Sequence, residues 1–169
     1  MADKQPGLRV GAASATVNPP MGAFIAGDAL NRQFTAVQDD LFAKAVVFHN
    51  GTTAVAVVVV VCIGLPYTVV QACRESAAAQ VGAIDLPAAH IVVASTHTHS
   101  GTDVVGIWGP DSAHTGIDSA YRTRLVETAA AQVKRAADAL QPATLRYATT
   151  TYPGAWIHNI CEPDALDRD

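Results

Sequence analysis

Residues 41–63 read LFAKAVVFHNGTTAVAVVVVVCI, two apolar runs separated by the polar segment 49–53. Asn50 and Gly51 in that segment indicate a tight β-hairpin, because this pair accepts the positive φ angles that such turns need. The second run, 54–63, is apolar at every position, which predicts a strand covered on both faces. The stretch therefore predicts two neighbouring antiparallel strands.

The rest of the chain carries further strand and helix patterns. Apolar positions spaced by three and four residues predict one helix at 66–81 and a second that begins at Asp118 or Ser119 and continues to Leu140. Further strands are predicted at 8–17, 90–94 and 144–150, with a long loop at 21–38. The order β-β-β-α-β-α-β predicts one α/β domain over 1–169, in which helices cover a mixed β-sheet.

The composition excludes several classes of protein. Half of the 169 residues are hydrophobic and 15% are charged, which is incompatible with intrinsic disorder. The net charge is −4 and Lys and Arg do not cluster, so nucleic acid is not an expected partner. Residues 1–7 are polar, and the longest apolar run is shorter than the ~20 residues of a membrane span. We therefore expect neither a signal peptide nor a transmembrane segment, and a cytoplasmic location for the chain as it stands.

The cysteines do not suggest a cross-linked or zinc-ribbon protein. Cys62, Cys73 and Cys161 are odd in number and contain no C-x-x-C pair. We expect Cys62 and Cys73 to be small buried hydrophobic residues.

The segment most informative about function is 90–103, HIVVASTHTHSGTD, in which an apolar strand leads into His97 and His99. Ligands of α/β sheets collect at the carboxyl ends of strands, so a site is expected here. Side chains alternate across extended backbone, which places both imidazoles on one face, and neutral imidazole is a common zinc ligand. Two histidines do not complete a zinc site, and two unrelated polar loop residues would give the same pattern.

Other residues are candidates to complete the site. Asp103 and His158 are the stronger ones, since Trp156 and Ile157 could shield His158 in a pocket wall. His114 lies in a turn-rich stretch and is expected to be an exposed loop residue. His49 and His90 are interpreted as structural.

Four stretches of the chain resemble the neutral/alkaline, non-lysosomal ceramidases and their bacterial relatives. They are VGAASATVNPP at 10–20, DDLFAKAVVF at 39–48, ASTHTHSG at 94–101 and GIWGP at 106–110. The resemblance extends along nearly the whole chain. It corresponds to less than the first half of the family's catalytic domain, so the chain is predicted to be the amino-terminal portion of such a domain.

The resemblance implies a zinc-dependent hydrolase that cleaves an N-acyl amide bond with metal-activated water. By position, His97 matches the first metal-binding histidine, and His99 matches a catalytic residue that contacts the substrate or its oxyanion. Asp103 and His158 are carried as substrate-binding candidates, zinc as the cofactor, and an N-acyl small molecule, with a lipid among the candidates, as the substrate. The resemblance also implies further zinc ligands beyond Asp169, and relatives that are often secreted or membrane-associated.

Two other hypotheses stay open on the sequence alone. One is a truncated or degenerate α/β domain without catalysis, which forms a homo-oligomer or needs a missing carboxy-terminal segment. The other is an enzyme whose site closes within this chain through His97, His99 and either Asp103 or His158.

The chain departs from the family pattern at Thr102, which stands where the family usually has proline and is expected to loosen the loop.

Overall fold

A computed structural model describes residues 7–151, which form a five-stranded sheet and two helices. The strands are β1 (Arg9–Thr16), β2 (Phe42–His49), β3 (Ala54–Val60), β4 (Ile91–Ser95) and β5 (Gln141–Pro142), and the helices are α1 (Tyr67–Gln80) and α2 (Ser119–Asp138). The sheet order is β4-β3-β2-β1-β5, in which β3 and β4 are parallel and the other neighbours are antiparallel. The predicted α/β class with a mixed sheet is confirmed.

The predicted hairpin is formed by β2 and β3, which pair from Ala43↔Val60 to His49↔Ala54. Its turn has Gly51 at φ +99°. The Asn50 side chain accepts hydrogen bonds from the backbone of Thr52 and Thr53, at 3.0 and 2.8 Å. Local side-chain to backbone bonding of this kind explains why the turn could be read from the sequence.

Both helices lie on one side of the sheet. Helix α2 packs against β1, β2 and β3, and α1 packs against α2 and β4. Of the two residues at which α2 was predicted to begin, Asp118 is the cap, since it accepts a 2.9 Å hydrogen bond from the backbone N–H of Tyr121. Gly11 allows α2 to approach β1 closely, because a Cβ there would lie 2.0 Å from the carbonyl oxygen of Ala136.

The expectation that the second apolar run is covered on both faces is wrong for the part of the chain described. Ala54, Ala56, Val58 and Val60 are buried under the helices, whereas Val55 on the opposite face is 39% exposed. The reason is that both helices pack on the same face, so residues 7–151 contribute no second covering layer.

The strand predicted at 144–150 is also wrong. Every residue of this segment is exposed and outside regular structure, and the short strand β5 lies earlier, pairing Gln141 with Val10. β-Branched residues favour strands only where a neighbouring strand and a packed face are present. By contrast, the loop predicted at 21–38 is confirmed, with isolated bridges such as Phe24↔Gln33 as its ordered contacts.

Candidate active site

The His-x-His segment follows β4 at the edge of the sheet where the parallel strands β3 and β4 end. The long loop packs against it through a 2.9 Å hydrogen bond from the N–H of Ala26 to the carbonyl of Gly101. The N–H of Asp103 in turn donates to the carbonyl of Phe24 at 2.8 Å. Three distant parts of the sequence thus meet at the strand end where the pattern predicted a site.

His97 is held in a defined orientation. Its backbone has φ +62°, in the left-handed region that few non-glycine residues adopt. Its Nδ1 lies 2.7 Å from the carbonyl oxygen of Ile63. A carbonyl can only accept, so Nδ1 carries the proton, and the Nε2 of the neutral ring keeps a free lone pair.

His99 is oriented by a different partner. Its Nδ1 lies 3.2 Å from an oxygen of Asp28, and the Asp28 carboxylate also accepts a 2.7 Å bond from Arg32. The hydrogen bond from His99 is the main reason that the pKa of Asp28 lies below its usual value, with Arg32 lowering it further. The rings of His97 and His99 pack edge to face with centroids 5.2 Å apart.

Asp103 is placed differently from a typical ligand-binding carboxylate. It is 1% exposed, and its two oxygens accept hydrogen bonds from the backbone N–H groups of Val105, Gly106 and Trp108, at 3.1, 2.7 and 3.0 Å. Asp103 therefore organises the turn that follows the histidines. Its proposed contact with substrate stays a prediction. Thr102, expected to loosen this loop, is fully buried and bridges to Ile25.

The other histidines within residues 7–151 are exposed or structural, as predicted. His114 is 71% exposed at the side chain and pairs with Asp111. His90 bonds the carbonyl of Ala54 through Nδ1 at 3.0 Å, and His49 lies at the hairpin turn. His158 falls outside residues 7–151, so its role stays a prediction.

A cleft of about 540 Å³ borders the His-x-His segment, although neither His97 nor His99 lines it. Thr98 and Ser100, which alternate with the histidines, line it together with Arg32. The apolar side chains of Ile25 and Phe34 form part of its wall. Arg32 thus faces the cleft and also holds the carboxylate that orients His99.

The side chains near the strand end fit a zinc site only in part. His97 fits as one ligand, because its Nε2 lone pair is free and its Nδ1–H is engaged by a carbonyl, the usual arrangement of metal-binding histidines. Within residues 7–151, no three His, Cys, Asp or Glu side chains lie together in a group able to hold a metal ion. The hypothesis of a site closed by His97, His99 and Asp103 is therefore not supported, and its variant with His158 lies outside the described residues.

Three residues at the site were not predicted from the sequence, namely Asp28, Arg32 and Ile63. Asp28 and Arg32 lie in the loop at 21–38, whose unusual length was the available signal of function. The role of Ile63 is carried by its carbonyl oxygen, which no side-chain pattern reveals.

The fold of the chain is ceramidase-like. One similar solved structure is the crystal structure of neutral ceramidase from Pseudomonas aeruginosa, with 19% identity, a TM-score of 0.61, and coverage of 83% of this chain and 23% of that one. A second, described as ceramidase complexed with C2, has 18% identity and a TM-score of 0.58, and covers 80% of this chain and 22% of that one. The chain thus corresponds to less than a quarter of these structures. No protein-family model and no curated protein matches the chain.

No helix within residues 7–151 has both the length and the apolar character needed to cross a bilayer.

Proposed function

We propose that this chain forms part of the catalytic unit of a zinc-dependent hydrolase that cleaves an N-acyl amide bond, as ceramidases do. The observation that carries the proposal is the orientation of His97 in a ceramidase-like fold. Its Nδ1–H is bonded to Ile63, which leaves Nε2 as the ligand atom at the carboxyl end of β4.

The residues of this chain have separate tasks in the proposed reaction. Bound zinc would polarise the amide carbonyl and lower the pKa of a bound water. His97 holds the metal through Nε2, and His99 contacts the substrate or moves a proton through its own Nε2. Asp103 shapes the following turn by binding three backbone amides. The other zinc ligands come from polypeptide outside the described residues.

An N-acyl lipid is the proposed substrate class. The similar structures are both described as ceramidases, and Ile25 and Phe34, among the apolar residues in the mixed wall of the cleft, would contact an acyl chain. Arg32, Asp39 and Asp40 also line the cleft, and these charged groups would contact the polar part of such a molecule.

Zinc binding and hydrolysis test the proposal in the whole natural protein. We expect about one equivalent of zinc by mass spectrometry of the metal, and hydrolysis of a fluorescent short-chain ceramide that a chelator abolishes. His97→Ala should lose both properties. His114→Ala is the matched control, because His114 is an exposed histidine paired only with Asp111 in the described chain and should leave both unchanged. Full zinc retention by His97→Ala would refute the assignment.

The non-catalytic alternative is a domain that forms a homo-oligomer, for which the sheet face opposite the helices is an available surface, with Val55 and Val92 39% and 48% exposed. This alternative predicts that the whole natural protein binds no zinc and hydrolyses no N-acyl substrate.

A further inference from the structure

We infer that Asp28 is a positioning residue for His99, which it holds in the tautomer that presents an unprotonated Nε2 to the reaction. The inference rests on the proposed function for its catalytic meaning, but the tautomer itself does not depend on zinc or on substrate.

The hydrogen bond between the two side chains defines the tautomer. The Nδ1 of His99 lies 3.2 Å from Asp28 Oδ1, and an ionised carboxylate can only accept. The proton of a neutral His99 ring must then be on Nδ1, which leaves a lone pair on Nε2. The described part of the chain provides no hydrogen-bond partner for that Nε2. In this tautomer the Nε2 of His99 is a hydrogen-bond acceptor and not a donor.

The backbone beside Asp28 fixes the plane of the ring. Gly27 has φ +119°, and a Cβ at this position would lie 2.5 Å from Cγ and 2.8 Å from Nδ1 of His99. The ring thus rests on bare backbone, and the neighbouring carboxylate bonds its edge. Two consecutive loop residues together determine where His99 lies and which nitrogen is free.

Arg32 holds the carboxylate in turn. Its Nη1 lies 2.7 Å from Asp28 Oδ2, so each carboxylate oxygen has its own partner. Arg32 also lines the cleft beside the His-x-His segment. A molecule that contacts Arg32 in that cleft would therefore also affect the orientation of His99, because Arg32 binds the Asp28 carboxylate.

A second aspartate–histidine pair in the molecule provides a comparison. Asp111 and His114 are three positions apart and form a local pair at 2.7 Å, and both this pair and the Asp28–His99 pair are exposed to solvent. Asp28 and His99 are 71 positions apart, and tertiary packing brings them together with a glycine beneath the ring. The first pair can form from a turn alone, whereas the second requires the assembled site.

The test is long-range proton–nitrogen NMR of the imidazoles in the ¹⁵N-labelled full chain at about pH 8.5, where an unperturbed imidazole is neutral. His99→Gln assigns the His99 signals. We expect the parent chain to show the Nδ1–H tautomer at His99. Asp28→Ala should shift it towards Nε2–H, and Asp28→Asn should retain Nδ1–H because the amide oxygen still accepts. Asp111→Ala should change His114 and leave His99 unaltered.

The inference is overturned if His99 of the parent chain is in the Nε2–H form, or if Asp28→Ala leaves its tautomer unchanged. The parent spectrum decides this even if a variant fails to fold. Where the whole natural protein hydrolyses substrate, Asp28→Ala should lower kcat by about 10- to 100-fold with little change in KM. If zinc and hydrolysis are absent but the tautomer is as expected, the proposed function fails while the placement of His99 by Asp28 stands.

Discussion

The imidazole of His99 lies directly against the backbone of Gly27, so closely that a Cβ on residue 27 would be 2.5 Å from the ring carbon Cγ. Gly27 also has φ +119°, a conformation that L side chains rarely adopt. The chain therefore uses a glycine here for two reasons, the backbone conformation and the space that the ring occupies. The two effects can be separated experimentally.

Gly27→Ala should destabilise the fold and displace His99. We expect about 1–2 kcal/mol from the backbone conformation, and a further loss because the ring must move. Urea unfolding measures the total loss of stability, and the NMR signals of His99 report whether its ring has moved. Gly22→Ala is the control, since Gly22 has φ +83° but nothing within 4 Å of its added Cβ. Equal destabilisation by both variants, with unchanged His99 signals, would contradict the contact.

Gly11→Ala should weaken the packing of α2 on β1. The new Cβ would lie 2.0 Å from the Ala136 carbonyl, which belongs to helix backbone and cannot rotate away. Overpacking of this kind costs about 1–3 kcal/mol or more, which a thermal or urea melt would detect. Gly82→Ala, where no atom lies within 4 Å of the added Cβ, should change stability by no more than about 0.5 kcal/mol. A Gly11→Ala melt that matches the parent would show that the helix does not approach so closely.

Asp103→Ala should destabilise the turn that follows the histidines more than it destabilises the rest of the domain. It removes the acceptor of three backbone N–H groups in a buried setting, and an unsatisfied buried donor costs about 1–3 kcal/mol. Hydrogen exchange at Val105, Gly106 and Trp108 should accelerate markedly. Asp111→Ala removes an exposed turn aspartate and should leave these three amides protected. Unchanged exchange in Asp103→Ala would exclude the organising role.

Stability should fall between about pH 9 and pH 11 because of the two buried thiols. Burial raises the pKa of Cys62 and of Cys73 from 9.0 to about 11. In this range the unfolded chain releases the thiol protons while the folded chain retains them, so rising pH favours unfolding. Each buried thiol makes its full contribution to the free energy of unfolding below pH 9. This contribution, about 2–3 kcal/mol per thiol, is lost by about pH 11.

Urea unfolding at several pH values measures this loss. Cys73→Ala should reduce the slope of stability against pH over the same range by about the contribution of one thiol. Tyr121, whose pKa burial raises from 10.0 to about 12, adds its own fall above pH 10, so the parent and the variant must be compared at the same pH. An identical slope in the parent and in Cys73→Ala would show that the Cys73 thiol has the same pKa in the folded and the unfolded chain.

The parts of the fold that were predicted correctly depend on short-range signals. Asn50 and Gly51 form their turn through bonds to the next two or three residues, and Asp118 caps α2 through Tyr121. The strand predicted at 144–150 failed because its β-branched composition says nothing about whether a partner strand is present. The uniformly apolar β3 was misread for a related reason, since its pattern cannot show on which face the helices pack.

The sequence by itself determined that the chain is an α/β domain, and it predicted a site at His97 and His99. These conclusions rest on periodicity and on a local motif, which adjacent residues are sufficient to define. Only the tertiary structure decided which nitrogen of each ring is free. That choice depends on the carbonyl of Ile63, 34 positions before His97, and on the carboxylate of Asp28, 71 positions before His99. Hydrogen bonds between such distant groups exist only after the sheet and the long loop have packed together.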